Sequence, residues 1–112
     1  AGHGGSDPGT RGTGLVEKEY TLKFAEYLNR RFNELGANST LVRSTDETVT
    51  PTERVNRILN AYGNNSKVVA LSNMLGNTGS GAEIIYALRN NSNLASSLAE
   101  NLDDAGLTVS KY

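Results

Sequence analysis

Apolar side chains recur along this chain at two spacings, one helical and one extended. From Val16 to Leu35 the spacing is helical. Thr21, Phe24, Ala25, Leu28, Phe32 and Leu35 fall at i, i+3, i+4, i+7, i+11 and i+14, which at 3.6 residues per turn share one face. Gly36 follows as a stop. A second helix is announced by Thr50-Pro51-Thr52-Glu53: Thr50 can cap, Pro51 suits the first helical position, and Glu53 completes a capping box. Val55, Ile58, Leu59 and Tyr62 form its apolar stripe and Gly63 closes it. A third helix opens at Asn91 or Ser92, places Leu94, Ala95, Leu98, Ala99 and Leu102 on one side, and ends at Gly106. Between the helices lie short apolar runs that read as strands: Thr40 to Arg43, Lys67 to Leu71, Ala82 to Leu88, and Leu107 to Ser110.

The order helix, strand, helix, strand, strand, helix, strand predicts an α/β fold, a mostly parallel twisted sheet flanked by helices. Residues 1–14, AGHGGSDPGTRGTG, carry neither period. Because such a fold normally opens on a strand, a first strand is expected to precede Ala1. At 112 residues the chain holds one domain, spanning 1–112,, and 37% hydrophobic with 21% charged residues suits a globular core,.

Charge narrows the function. Eleven basic residues against twelve acidic ones provide no field to attract nucleic acid or an anionic membrane. No apolar run approaches the roughly 20 residues a membrane span needs, and no signal-peptide pattern is visible. The chain has no cysteine, which removes disulfides and thiolate metal sites and leaves the redox compartment open.

The residues able to do chemistry are few. His3, the single histidine, sits in Gly-His-Gly-Gly, where bare backbone lets a ligand or metal approach. Glu17 and Glu19 open the first helix. Its dipole alone explains both, but Glu17 paired with His3 would offer Zn²⁺ one oxygen and one nitrogen. The glycine loops do not suit phosphate: the first lacks a preceding strand, and GNTGSG at 76–81 leads into a strand rather than a helix,. Ser72 has no histidine partner other than His3, which disfavours a serine hydrolase. Arg43, Asp46 and Arg54 are expected to form a structural salt-bridge and capping network, with substrate contact as the lesser alternative.

These residues fall in an ordered series. Gly2-His3-Gly4-Gly5 with Asp7-Pro8-Gly9, then Gly14-Leu15-Val16-Glu17-Lys18-Glu19, Leu41-Val42-Arg43-Ser44-Thr45-Asp46, Glu53-Arg54-Val55-Asn56, Val69-Ala70-Leu71-Ser72-Asn73 and Gly81-Ala82-Glu83-Ile84-Ile85-Tyr86 together resemble the zinc-dependent N-acetylmuramoyl-L-alanine amidases of autolysins, sporulation lysins and phage endolysins. The resemblance runs through nearly the whole chain. It implies a Zn²⁺ hydrolase that cuts the amide between N-acetylmuramic acid and L-alanine, with peptidoglycan (glycan strand and stem peptide) as partner. It also implies action at the cell wall, after secretion or on release by phage or sporulation lysis. Carried over by position, His3 is the first metal ligand and Glu17 the second. The third, a histidine in a Ser-x-His-x-Asn segment, corresponds to Ser72-Asn73-Met74-Leu75-Gly76. Met74 therefore stands at the ligand position, and its soft thioether serves Zn²⁺ poorly. The family's late catalytic glutamate lies beyond Tyr112, and Glu83 belongs to a strand rather than to that role. The resemblance thus implies an amidase-like domain incomplete at both ends and of impaired activity. The alternative is an inactive amidase-like domain that serves as a wall-binding or structural module.

Overall fold

A computed structural model describes residues 1–12, 14–76, 80–87 and 92–111. The chain divides into two units, 1–77 and 78–112.

The first unit begins with the glycine-rich loop and a two-residue antiparallel hairpin, β1 (Arg11–Gly12) against β2 (Leu15–Val16). Neither strand was expected there. Helix α1 (Glu17–Glu34) follows without a side-chain cap; instead its first turn carries Glu17 and Glu19 and its last Arg31, both favourable to the helix dipole. Its end is a Schellman turn. Gly36, at φ 90°, donates to Asn33 O (3.1 Å) and Ala37 donates to Phe32 O (2.9 Å),. Helix α2 (Pro51–Tyr62) starts where expected, with Thr50 Oγ1 accepting from Glu53 N at 3.1 Å and Gly63 closing it.

In the second unit β3 (Ala82–Ile84) pairs in parallel with β4 (Val109–Lys111), in register Ala82↔Val109, Glu83↔Ser110, Ile84↔Lys111. Helix α3 (Asn93–Asp104) connects them and packs on both, as parallel strands require a crossover. It ends in a second Schellman turn, Gly106 N to Asp103 O (2.9 Å) and Leu107 N to Leu102 O (3.1 Å). Residues 77–79, 88–91, 13 and 112 lie outside the described residues, including Leu88 of the expected strand and part of the second glycine loop.

This is an α/β chain, but its extended runs are used differently from expectation. Among the described residues Thr40–Arg43 and Lys67–Leu71 join no ladder. Strand character needs a partner backbone as well as a β-prone run, and the second segment keeps Val69 60% and Leu71 50% exposed,. The helical faces also differ. On α1, Thr21 is buried while Phe24 is 52% exposed, and Leu35, just past its end, is 73% exposed; on α2, Val55 and Leu59 are exposed. Among the described residues the buried apolar side chains are Val49 and Ala95, whereas Glu17, Thr21 and Arg43 are buried polar ones. Periodicity shows which side chains share a face, and in the first unit polar groups hold the interior.

Candidate functional site

The buried polar groups converge on the first nine residues. His3 adopts φ 61°, and Gly4, Gly5 and Gly9 also have positive φ, a region open to glycine and unfavourable for other residues. What holds His3 there is a ladder of carbonyl acceptors. Arg54 Nη1 and Nη2 donate to Ala1 O (2.7 Å) and His3 O (2.8 Å). Between these, Gly2 O accepts from Thr21 Oγ1 (2.7 Å) and Arg43 Nη2 (3.2 Å). Arg43, fully buried, also donates to Lys18 O (3.0 Å) and Thr45 O (2.8 Å). Asp46 completes the frame, accepting from Gly5 N (2.8 Å) and Lys18 Nζ (2.9 Å). The salt bridges expected among Arg43, Asp46 and Arg54 do not form: Asp46 pairs with Lys18, and the arginines spend their donors on backbone carbonyls. A planar guanidinium with five donors can span several carbonyls at once.

Gly4 and Asp7 exchange backbone hydrogen bonds (2.8 and 3.0 Å), closing a tight turn. The turn brings Asp7 back onto His3, with Nδ1 to Oδ2 at 2.7 Å. Glu17 reaches the same ring from α1: its Oε2 lies 3.2 Å from His3 Nε2. Glu17 is 3% exposed, and its Oε1 accepts from Thr10 N (3.0 Å) while Oε2 accepts from Leu75 N (3.1 Å). Gly9 lets the two side chains meet. A Cβ there would lie 2.6 Å from His3 Cδ2 and 2.9 Å from both Glu17 Cβ and Oε1. Nothing in the periodicity pointed to Gly9 or Asp7; the turn signal Asp-Pro-Gly was the available hint.

Electrostatics agree with the geometry. The His3 pKa is raised above 6.5, first by the hydrogen bond to Asp7, with partial burial opposing and the Glu17 charge adding to the rise. Burial works against ionisation of Glu17, but the N–H groups of Thr10 and Leu75, with His3, outweigh it and leave the pKa lowered. In the metal-free chain the imidazolium gains both partners on folding. Its contribution is thus full below the unfolded value near 6.5 and is lost as pH rises through the raised folded value. We expect the melting temperature of the metal-free chain to fall across that window and His3→Asn to flatten the fall. A melting temperature that climbs with pH there would contradict the ion-pair reading.

The segment that carries Met74 is docked beside this pair. Asn73 O accepts from Gly2 N (3.3 Å), Asn73 Nδ2 donates to Thr21 O (3.0 Å), and Leu75 N donates to Glu17. Met74, between these anchors, is 65% exposed and lines an open groove of about 230 Å³ with Tyr20, Thr21, Phe24, Asn73 and Leu75. Among the described residues no three His, Cys, Asp or Glu side chains group to hold a metal. Glu83 lies exposed on β3 in the second unit.

A profile of the N-acetylmuramoyl-L-alanine amidase family matches residues 1–111, covering every group just described. The chain belongs to this amidase family. Its relatives include the uncharacterized protein YqiI of Bacillus subtilis (strain 168), 46% identical over 55 residues, 49% of this chain and 27% of that protein. The N-acetylmuramoyl-L-alanine amidase LytC of the same organism is 43% identical over 60 residues, 54% of this chain and 12% of that protein. The N-acetylmuramoyl-L-alanine amidase CwlM of Bacillus licheniformis is 45% identical over 64 residues, 55% of this chain and 25% of that protein. The matched region thus spans about a quarter or less of each relative's length. No solved structure matches the chain significantly. No described helix of this family member is long and apolar enough to cross a membrane.

The donor set can be tested against the zinc that the family resemblance implies. Two ligands about 2.1 Å from a tetrahedral Zn²⁺ stand roughly 3.4 Å apart, and His3 Nε2 and Glu17 Oε2, 3.2 Å apart, are within a few tenths of an ångström of that. An anionic oxygen, an imidazole nitrogen and a carboxylate behind the imidazole fit the ion. At the third position Met74 does not: a neutral thioether is a poor zinc ligand. The pair fits and the triad does not.

Proposed function

We propose that this chain is the cation-binding part of a peptidoglycan amidase, an N-acetylmuramoyl-L-alanine amidase domain to which both units belong, built on a mostly parallel sheet. In this reading His3 and Glu17 hold Zn²⁺ at two positions. The observation that carries it is the 3.2 Å approach of His3 Nε2 to Glu17 Oε2 in a chain matched to the family from 1 to 111. When bound in such a site, zinc polarises an amide carbonyl and acidifies a water. The chain's own residues orient and exclude: Gly9 leaves room for the ring and carboxylate, Thr10 and Leu75 fix both Glu17 oxygens, and Arg54 fixes the His3 backbone. The substrate is the bond between N-acetylmuramic acid and L-alanine in peptidoglycan, which places the work at the cell wall. With Met74 at the third position this chain turns peptidoglycan over little or not at all.

The test is Met74→His. Structural zinc sites gain about 10–16 kcal/mol from four ligands, roughly 3 kcal/mol each, so one added imidazole should tighten zinc binding about a hundredfold. We expect the unaltered chain to lose zinc during native mass spectrometry and M74H to retain one equivalent. A chain that already holds one zinc firmly, with M74H no tighter, would defeat the reading of Met74. Glycan binding indifferent to zinc would favour a wall-binding module, to which the incomplete triad and the apolar groove at Met74 lend support.

A further inference from the structure

The His3–Glu17 approach leaves open what makes the imidazole present the correct nitrogen. A histidine ring can flip, and when neutral it carries its proton on either nitrogen. A site that needs a lone pair at Nε2 gains nothing from the wrong orientation or the wrong tautomer. In this structure one contact settles both.

We propose that Asp7 is the positioning residue of this centre: its carboxylate holds the Nδ1–H of His3 and so turns the unprotonated Nε2 toward Glu17, making a seat for a divalent cation. The proposal rests on the zinc reading above and adds a residue to it. Ionised Asp7 can only accept a hydrogen bond, and Nδ1 lies 2.7 Å from its Oδ2, so Nδ1 must donate. The lone pair of the neutral ring is then at Nε2, 3.2 Å from Glu17 Oε2. Two facing lone pairs repel unless a positive charge lies between them. A proton serves in the metal-free state, and a metal ion can replace it.

Asp7 is equipped for this by its own attachments. Its Oδ1 accepts from Gly9 N (3.2 Å), and its backbone is locked to Gly4 on both sides. The same Gly9 lies against the Cδ2 edge of the ring, so one short turn fixes the carboxylate and borders the imidazole. The Asp7 side chain is 61% exposed, and exposed ion pairs contribute little stability. Its effect should therefore fall on metal affinity, with the fold hardly touched.

The chain has one histidine, so nitrogen-15 labelling of histidine yields a single ring to follow. Zn²⁺ is titrated into the unaltered chain and into Asp7→Ala, Asp7→Asn and His3→Ala, with metal-free melting curves for each. Loss of a carboxylate behind a metal-bound histidine costs roughly 10–100-fold in affinity, and that is expected for D7A, with the metal-free melt unchanged at pH values where His3 is neutral. D7N, whose amide oxygen still accepts from Nδ1–H, should regain most of the affinity and show the same protonated Nδ1 in the zinc-loaded ring. If binding depends on His3 but D7A binds as tightly as the unaltered chain, the assignment of Asp7 is wrong while the zinc reading stands. If H3A binds zinc as well as the unaltered chain, the zinc reading is wrong and this assignment goes with it. Should D7A fail to fold, D7N decides alone: affinity retained with protonated Nδ1 supports the assignment, and protonation moved to Nε2 overturns it.

Discussion

Replacing Arg43 with alanine should destabilise the chain by about 3–5 kcal/mol, because hydrogen bonds to a charged group contribute roughly 1.5–3 kcal/mol each and several are lost at once. Arg43 is fully buried and donates to Thr45 O, Gly2 O and Lys18 O. Each carbonyl keeps a second, uncharged donor, Thr21 Oγ1 for Gly2 O and Lys18 O, and Glu47 N for Thr45 O, so truncation removes the charged bonds and the buried side chain's packing while these weaker bonds remain. Lysine should rescue little, because one ammonium cannot span acceptors that a planar fork reaches from two sides. Urea unfolding of R43A and R43K reads the effect directly. A midpoint within error of the unaltered chain for R43A would mean that the polar interior contributes nothing.

A comparable loss is expected from a single methyl group at position 4. Gly4 has φ 135°, and a Cβ there would lie 2.2 Å from Glu47 O, 2.7 Å from Arg43 Cδ and 2.8 Å from Arg43 Nε. The nearest obstacle is backbone, which cannot swing aside as a flexible side chain can. Unfavourable φ alone costs about 1–3 kcal/mol, and the overlap must in addition move the 43–48 segment off the loop. We expect Gly4→Ala to lose at least about 3 kcal/mol and to abolish zinc binding. Gly12→Ala, with nothing within 4 Å, should change neither. Equal behaviour of the two variants in thermal melts would refute the packing described for Gly4.

The helices were legible in the sequence because their signals are local. Thr50-Pro51 and the glycines at 36, 63 and 106 mark real ends, and the period from Val16 to Leu35 yields a helix from Glu17 to Glu34. The strands were less legible. Ala82–Ile84 and Val109–Lys111 pair, while Thr40–Arg43 and Lys67–Leu71, no less β-prone, pair with nothing described. Local composition cannot say which backbone will lie alongside. At the site, His3 and Glu17 were singled out from residue type, glycine context and family resemblance, and the structure brings them together. Asp7 and Gly9 were quoted as part of a motif without a role, since hydrogen bonds to a ring and the space for a missing Cβ leave no trace in periodicity. Arg43 and Arg54 were expected to meet carboxylates. Carbonyl acceptors escape such a reading, because every residue has one.

The hold of Arg54 on the carbonyls of Ala1 and His3 sets a timetable. During synthesis the opening loop leaves the ribosome about fifty residues before the guanidinium that shapes it. Until then it is a glycine-rich tether with no reason to keep His3 at a positive φ. On the zinc reading proposed above, cation capture belongs to a late stage of folding of the first unit, and a nascent chain stalled ahead of α2 would carry His3 and Glu17 without the seat.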